Sequence, residues 1–110
     1  EQAFLDENVG MCGVREWHRV PGDSHGDPIP ECHRVCTLLG LKNYEINSFG
    51  FIGGTCFFVR SEIFRNVFKS VNIEEIVNKF PAYSNGGDIH AWERVFGYIV
   101  LSSNYTIKGI

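Results

Sequence analysis

Asn85-Gly86-Gly87-Asp88-Ile89-His90-Ala91-Trp92-Glu93-Arg94-Val95-Phe96-Gly97-Tyr98 is the stretch around which the chain is organised: two glycines lead into a run with helical periodicity. Ile89, Trp92, Phe96 and Ile99 recur at i, i+3, i+7 and i+10 and so share one stripe, while His90 and Arg94, four apart, line up on the other side. The spacing predicts a helix over residues 88–101, with one face to bury and one to turn toward a cleft. Asp88 falls where an N-cap belongs, after glycines that allow unusual backbone angles and at the positive end of the helix dipole. A carboxylate in that position is held in place.

Composition bounds what such a site can belong to. At 110 residues, 44% hydrophobic and 14% aromatic, the chain has the apolar material for one core and not the length for two domains. Ten Lys and Arg against 13 Asp and Glu, a formal charge of −3 and no basic run give no electrostatic footprint for nucleic acid or an anionic membrane. No apolar stretch approaches the roughly 20 residues of a membrane span, and the polar opening Glu1-Gln2 is not a signal peptide, so a cytoplasmic protein is expected. Without an initiator Met, the chain reads as a fragment or a processed piece.

Four cysteines beside four histidines raise the question of zinc. Structural zinc sites offer paired ligands two to four residues apart, and only Cys32 and Cys36 come close, with His33 between them on a helical pattern. Cys12, Cys36 and Cys56 sit in apolar surroundings that suit buried free thiols acting as small hydrophobes. Disulfides would need an oxidising compartment, as would use of the Asn104-Tyr105-Thr106 sequon.

In chain order, residues 9–14 form a short apolar run broken by Gly10 and Gly13, a buried strand. Residues 17–30 are turn-rich and aperiodic, a long loop of the kind that serves as a lid or binding loop. Cys32, Val35, Cys36 and Leu39 give a helix over 31–39, stopped by Gly40. Phe49-Gly50-Phe51-Ile52-Gly53-Gly54-Thr55-Cys56-Phe57-Phe58-Val59-Arg60 is too continuously apolar for a half-exposed strand, so 55–59 is expected to be a central strand. Gly53 and Gly54 let a backbone or ligand come close, or else form a β-bulge, and Thr55 adds a hydroxyl. Ser61 suits an N-cap for a helix over 61–71, and Asn72 with Glu75 a capping box for a second helix closed at Phe80-Pro81. Residues 104–107 suit a last strand.

Gly53-Gly54-Thr55-Cys56-Phe57-Phe58-Val59-Arg60, then two short helices, then Gly87-Asp88-Ile89-His90-Ala91-Trp92-Glu93-Arg94-Val95-Phe96-Gly97 resembles the rhamnan-synthesis F-type glycosyltransferases over roughly residues 31–107. That family shows a Gly-Ser-Met-Phe-Trp strand ending near Arg, and later an Asp-Gly-Thr-Leu-Ala-His-Ala-x-Glu-Arg helix. Here Thr55-Cys56-Phe57-Phe58 replaces Ser-Met-Phe-Trp, and the gap from Asp88 to His90 is shorter than the family's. Residues 7–13 also look like the strand that follows the acidic metal motif of GT-A enzymes.

The resemblance implies an α/β, GT-A-like architecture, a mixed sheet with flanking helices, of which residues 1–110 would be the acceptor-side, C-terminal half. It implies transfer of a sugar, with rhamnose among the candidates, from a nucleotide-sugar donor to a polysaccharide or glycan acceptor. An inverting transferase needs a base to accept the acceptor hydroxyl's proton and positive charge to stabilise the departing diphosphate. Asp88 is the candidate base. Gly53, Gly54, Thr55, His90, Glu93, Arg94 and Trp17 are the candidate substrate-binding residues, with Trp92 a second stacking candidate. The divalent metal implied, Mn or Mg, would be held mainly upstream, since there is no Asp-x-Asp motif, with His90 a late contributor. Peripheral contact with the cytoplasmic membrane face would also come from outside the chain. Each residue has a plainer role: Asp88 as a cap, His90 as a solvated side chain, Glu93 and Arg94 as an ion pair, Trp92 as core. A non-catalytic carbohydrate-binding or interaction module is the alternative, and the 110-residue piece by itself is expected to transfer nothing.

Overall fold

The structure, a computed structural model, describes residues 2–19, 29–41, 50–79 and 86–110. In chain order its elements are β1 (Val9–Gly13), β2 (His18–Arg19), α1 (Ile29–Leu38), β3 (Phe51–Ile52), β4 (Phe57–Val59), α2 (Ser61–Phe68), α3 (Ile73–Lys79), α4 (Gly86–Ser102) and β5 (Thr106–Gly109). They make a small mixed α/β domain. β1 is buried at every position and lies between β4, antiparallel to it, and β5, parallel to it. β2 and β3 form a separate antiparallel ladder.

The apolar run of β1 is explained by its two covered faces. Met11 joins the main core, whereas Val9 and Cys12 pack with Ala3 and Phe4 of an N-terminal 3₁₀ turn. Strict alternation would put Val9 with Met11. The register against β5 steps from Val9↔Thr106 to Met11↔Ile107, so Gly10 is one residue too many, a bulge that inverts the facing of Val9. A side chain at Gly10 has no room, because its Cβ would stand 2.6 Å from Tyr105 Cβ and 2.7 Å from Ile63 Cδ1.

Of the expected central strand over 55–59, only Phe57–Val59 is in strand, as β4 at the edge of the sheet rather than its centre. The run is split by a 3₁₀ turn, Gly53–Thr55, with Gly54 at φ 79°, a left-handed angle that favours glycine. Its apolar residues are used by two different ladders: Phe51 and Ile52 are buried in β3, and β4 pairs with β1 alone among the described residues. Phe57 joins the aromatic cluster while Phe58 points out of the sheet, 70% exposed.

Arg60, just after β4, clamps the N-terminal segment. Its Nε donates to the Val9 carbonyl (2.6 Å) and its Nη2 to the carbonyls of Phe4 (2.9 Å) and Asp6 (3.0 Å), with the guanidinium 5.2 Å from the Phe4 ring. Hydrogen bonds from a charged donor are worth about 1.5–3 kcal/mol each before screening, and these are partly exposed, so Arg60→Ala is expected to cost about 2–4 kcal/mol in urea denaturation. A loss under about 0.5 kcal/mol would show that the clamp contributes nothing.

The helices follow local signals closely. α1 starts at Ile29, carries Pro30 in its first turn, and stops at Gly40, φ 72°, where Leu41 N–H reaches back to the Cys36 carbonyl (2.9 Å). Ser61 is the first residue of α2 rather than its cap. Asn72 does cap α3, its Oδ1 accepting from Glu74 N–H at 2.8 Å. The turn-rich 20–28, the Phe80-Pro81 stop and Asn85 lie outside the described residues, and residues 17–19, expected in the loop, instead finish a 3₁₀ turn and form β2.

α4 is the spine. Ala91, Val95, Ile99 and Val100 are its deepest positions; α4 packs on α1, and Cys32, Val35, Cys36 and Leu39 of α1 share the same buried core. Of the expected stripe, Ile99 is fully buried, but Trp92 and Phe96 are only partly so, in an aromatic cluster with Phe57, Phe64 and Phe68. α4 therefore carries two apolar faces, one toward α1 and one toward the sheet and α2. Gly97 lies where it crosses the residues entering β3: a Cβ there would overlap the Gly50 carbonyl oxygen and stand 2.7 Å from Phe51 Cα. No helix among the described residues is long and apolar enough to cross a membrane.

All four cysteines are thiols, Cys12, Cys32 and Cys36 buried and Cys56, expected to be buried beside Phe57, exposed at the end of the glycine turn. Iodoacetamide is expected to add one label to the native protein, at Cys56, and the rest only after unfolding, as read by mass spectrometry. Rapid labelling of Cys12 would contradict its place in the sheet. Burial pushes the Cys36 thiol up to about 11. The unfolded thiol ionises first, so stability is expected to fall as pH rises through about 9 toward 11.

Candidate functional site

Two parts of the sequence meet at the glycine turn. Gly54 N–H donates to Glu93 Oε2 at 2.6 Å, across 39 residues. Glu93 Oε1 lies 3.2 Å from Arg94 Nη1 and 3.9 Å from His90 Nδ1. Arg94 Nη1 also donates to the His90 carbonyl at 3.0 Å, and the guanidinium sits 4.8 Å from the centre of the Phe51 ring. Glu93 is thus a latch between the start of α4 and the turn, held at one oxygen by a backbone N–H and at the other by a cation.

Trp17 completes the cluster from a third segment. A 3₁₀ turn over Arg15–Trp17 follows β1, pinned by Trp17 N–H to the Val14 carbonyl (3.0 Å) and Arg15 N–H to the Ile110 carbonyl (3.1 Å). Gly53 lies against the indole: a Cβ on Gly53 would be 3.3 Å from Trp17 O and 3.4 Å from its Cε3. Trp17 is 53% exposed, beside the glycine pair. The neighbouring His18, paired with Ile52, has its pKa lowered by burial, which keeps it neutral at pH 7.

Trp17, Gly53, Gly54, His90, Glu93 and Arg94 therefore occupy one surface. Their availability differs. The Glu93 and Arg94 side chains are only 15% and 13% exposed and bind one another and the fold, whereas His90 is 62% exposed. Arg94 does not stand on an open face with His90, because Phe51 draws it inward. Asp88 is the third residue of α4, since the helix takes in Gly86 and Gly87, and so it lies in the first turn rather than at the cap. The side chains of Asp88 and Thr55 lie outside the described residues. Trp92 is stacked against Phe68 at 6.5 Å and belongs to the core.

The divalent metal expected from the resemblance finds no ligand set here. Among the described residues, no three His, Cys, Asp or Glu side chains converge, and Glu93, the carboxylate beside His90, already serves Gly54 and Arg94. Phe51, which seats Arg94, and Arg60, which clamps the N-terminal segment, are the residues that sequence reading did not assign a part, and neither contact has a local signature.

No family model, curated protein or solved structure matches the chain.

Proposed function

We propose that the chain is the acceptor-side half of a GT-A-like, nucleotide-sugar-dependent glycosyltransferase, with rhamnose among the candidate sugars and a polysaccharide or glycan as acceptor. One observation supports it above the others: the Gly54–Glu93 hydrogen bond joins the glycine-strand motif to the Asp-His-Glu-Arg helix, the two motifs on which the resemblance rests. Trp17 offers a flat face for a sugar ring, and the side-chain-free edge of Gly53 and Gly54 lets that ring approach. His90 is exposed beside them, and Asp88, five residues before Glu93 on α4, is the proposed base. Glu93 and Arg94 act as positioning residues, fixing the turn on α4. The donor half and any metal would be supplied outside these residues, so no step is assigned to a metal here.

Trp17 beside the glycines also favours a second reading, a carbohydrate-binding module without chemistry, because stacking on an exposed indole needs no base. A panel of nucleotide sugars and glycan acceptors, offered to the full-length gene product and to this chain separately, distinguishes the two. Transfer by the full-length product and none by the 110-residue chain is the expected result. Turnover by the chain alone would overturn the half-site assignment, and saccharide binding without transfer by the full-length product would favour the module. Trp17→Ala is expected to weaken saccharide binding about tenfold, or about 1.4 kcal/mol, with the fold unchanged. Unaltered binding would remove the indole from the site.

A further inference from the structure

A second concavity lies apart from the glycine turn, at the opposite end of α4. It is an open groove of about 530 Å³, lined by Glu7, Asn8, Arg60, Glu62, Asn104 and Tyr105 among others, none of which belongs to the Trp17–Glu93 cluster. Its volume falls within the roughly 300–1,000 Å³ of small-ligand sites. Apart from the Tyr105 ring its lining is polar, which offers little surface to a lipid. Two carboxylates against one guanidinium, together with the C-terminal, negative end of α4, disfavour a phosphate or other anion.

A hydroxyl-rich ligand fits this lining. A neutral polyol presents donors and acceptors in alternation, and the groove supplies both: the amides of Asn8 and Asn104 and the Tyr105 phenol can do either, while Glu7 and Glu62 accept. Several of these residues are tied to neighbouring backbone. Arg60 is fixed by three backbone carbonyls through Nε and Nη2. Asn8 is tied to β5, its carbonyl accepting from Thr106 N–H (2.7 Å) and Thr106 Oγ1 (3.1 Å). Asn104 is held at φ 67° in the turn that ends α4, where Asn104 N–H reaches the Leu101 carbonyl and Tyr105 N–H the Val100 carbonyl. Groups held on fixed backbone lose little freedom when a ligand arrives.

We infer that this groove is a carbohydrate-binding subsite, separate from the glycine-turn site, which takes a neutral saccharide through its hydroxyls. It does not depend on the transferase assignment.

The test is an amide NMR titration of the 110-residue chain with maltotriose, chitotriose and mannotriose, and with inorganic phosphate in a separate arm. Saturable shifts at Asn8, Glu62, Asn104 and Tyr105 with at least one saccharide at millimolar concentration are expected. Asn104→Gly removes the amide side chain and also relieves the left-handed backbone, so the variant keeps its fold. Together with Glu62→Gln, an exposed change in the first turn of α2, it is expected to weaken that binding at least about tenfold. No saturable shift with any of the three saccharides would overturn the inference. So would shifts confined to Trp17 and Gly53, binding unchanged in the double variant, or phosphate binding at the groove in place of sugar. Because the readout is binding at the opposite end of α4, failure here leaves the glycine-turn proposal to stand or fall by its own assay.

Discussion

Gly97→Ala is expected to cost at least about 3 kcal/mol of folding stability, a large share of the 5–15 kcal/mol that holds a domain together. In an ordinary helix interior the same change would stabilise by about 1 kcal/mol, since alanine is the better helix former. At Gly97 the added methyl would overlap the Gly50 carbonyl oxygen and meet Phe51 Cα at 2.7 Å, and both are backbone. A side chain can rotate away; a strand cannot. α4 would have to lift off β3, exposing Val95 and Ile99 and breaking the seat of Arg94 on Phe51. Gly54→Ala is the control: nothing lies within 4 Å of its Cβ, but φ is 79°, so only the left-handed penalty of about 1–2 kcal/mol applies. Urea denaturation of both variants should rank Gly97→Ala well below Gly54→Ala. A Gly97→Ala midpoint at or above the parent's would mean that α4 does not approach β3 so closely.

Asp88→Asn, in the full-length gene product, is expected to lower sugar transfer by about a hundredfold to ten-thousandfold, as the loss of a general base does. Stability should move little. Asp88 is the third residue of α4, so the change removes a carboxylate from the positive end of the helix, worth about 0.3–1 kcal/mol, and is close to isosteric. The dipole that favours the carboxylate also weakens it as a base, but proton transfer late in the displacement needs only moderate basicity. Donor binding, measured by calorimetry with the nucleotide sugar, should stay near the parent's, which separates a chemical role from a structural one. Activity within about threefold of the parent would reject Asp88 as the base. A silent Asp88→Asn with an inactive His90→Ala would transfer the role to His90, which is the more exposed neighbour of Glu93.

Where the determinants are local, the sequence is a sufficient guide. The apolar spacing of α1 and the left-handed stop at Gly40, the Asn72 cap of α3, and the apolar run of β1 are all carried by residues within one or two turns of one another. Failure came wherever a distant partner decides. The apolar continuity of 49–60 could not show that Phe51 and Phe57 serve different ladders, because that depends on β2 and β1. The spacing of Arg94 from His90 predicts an open face, yet Phe51, 43 positions earlier in the sequence, turns it inward. The same holds at the candidate site: the two motifs were legible one by one, while the hydrogen bond that joins them, and the packing of Trp17 on Gly53, exist only in three dimensions.

The parallel pairing of β1 with β5 has a consequence for how the chain is made. Thr106 hydrogen-bonds to Asn8 across 98 residues, and β4, the other neighbour of β1, comes from the middle of the chain. During synthesis β1 leaves the ribosome before either of its neighbours, with five apolar or glycine positions and neither edge paired. It can gain β4 about 50 residues later, but Thr106 of β5 follows Asn8 by 98 positions. Closing so long a loop is slow, and the exposed strand can pair with another chain while it waits. Yield should therefore respond to translation speed and to chaperones that shield early apolar segments, more than to the stability of the finished fold.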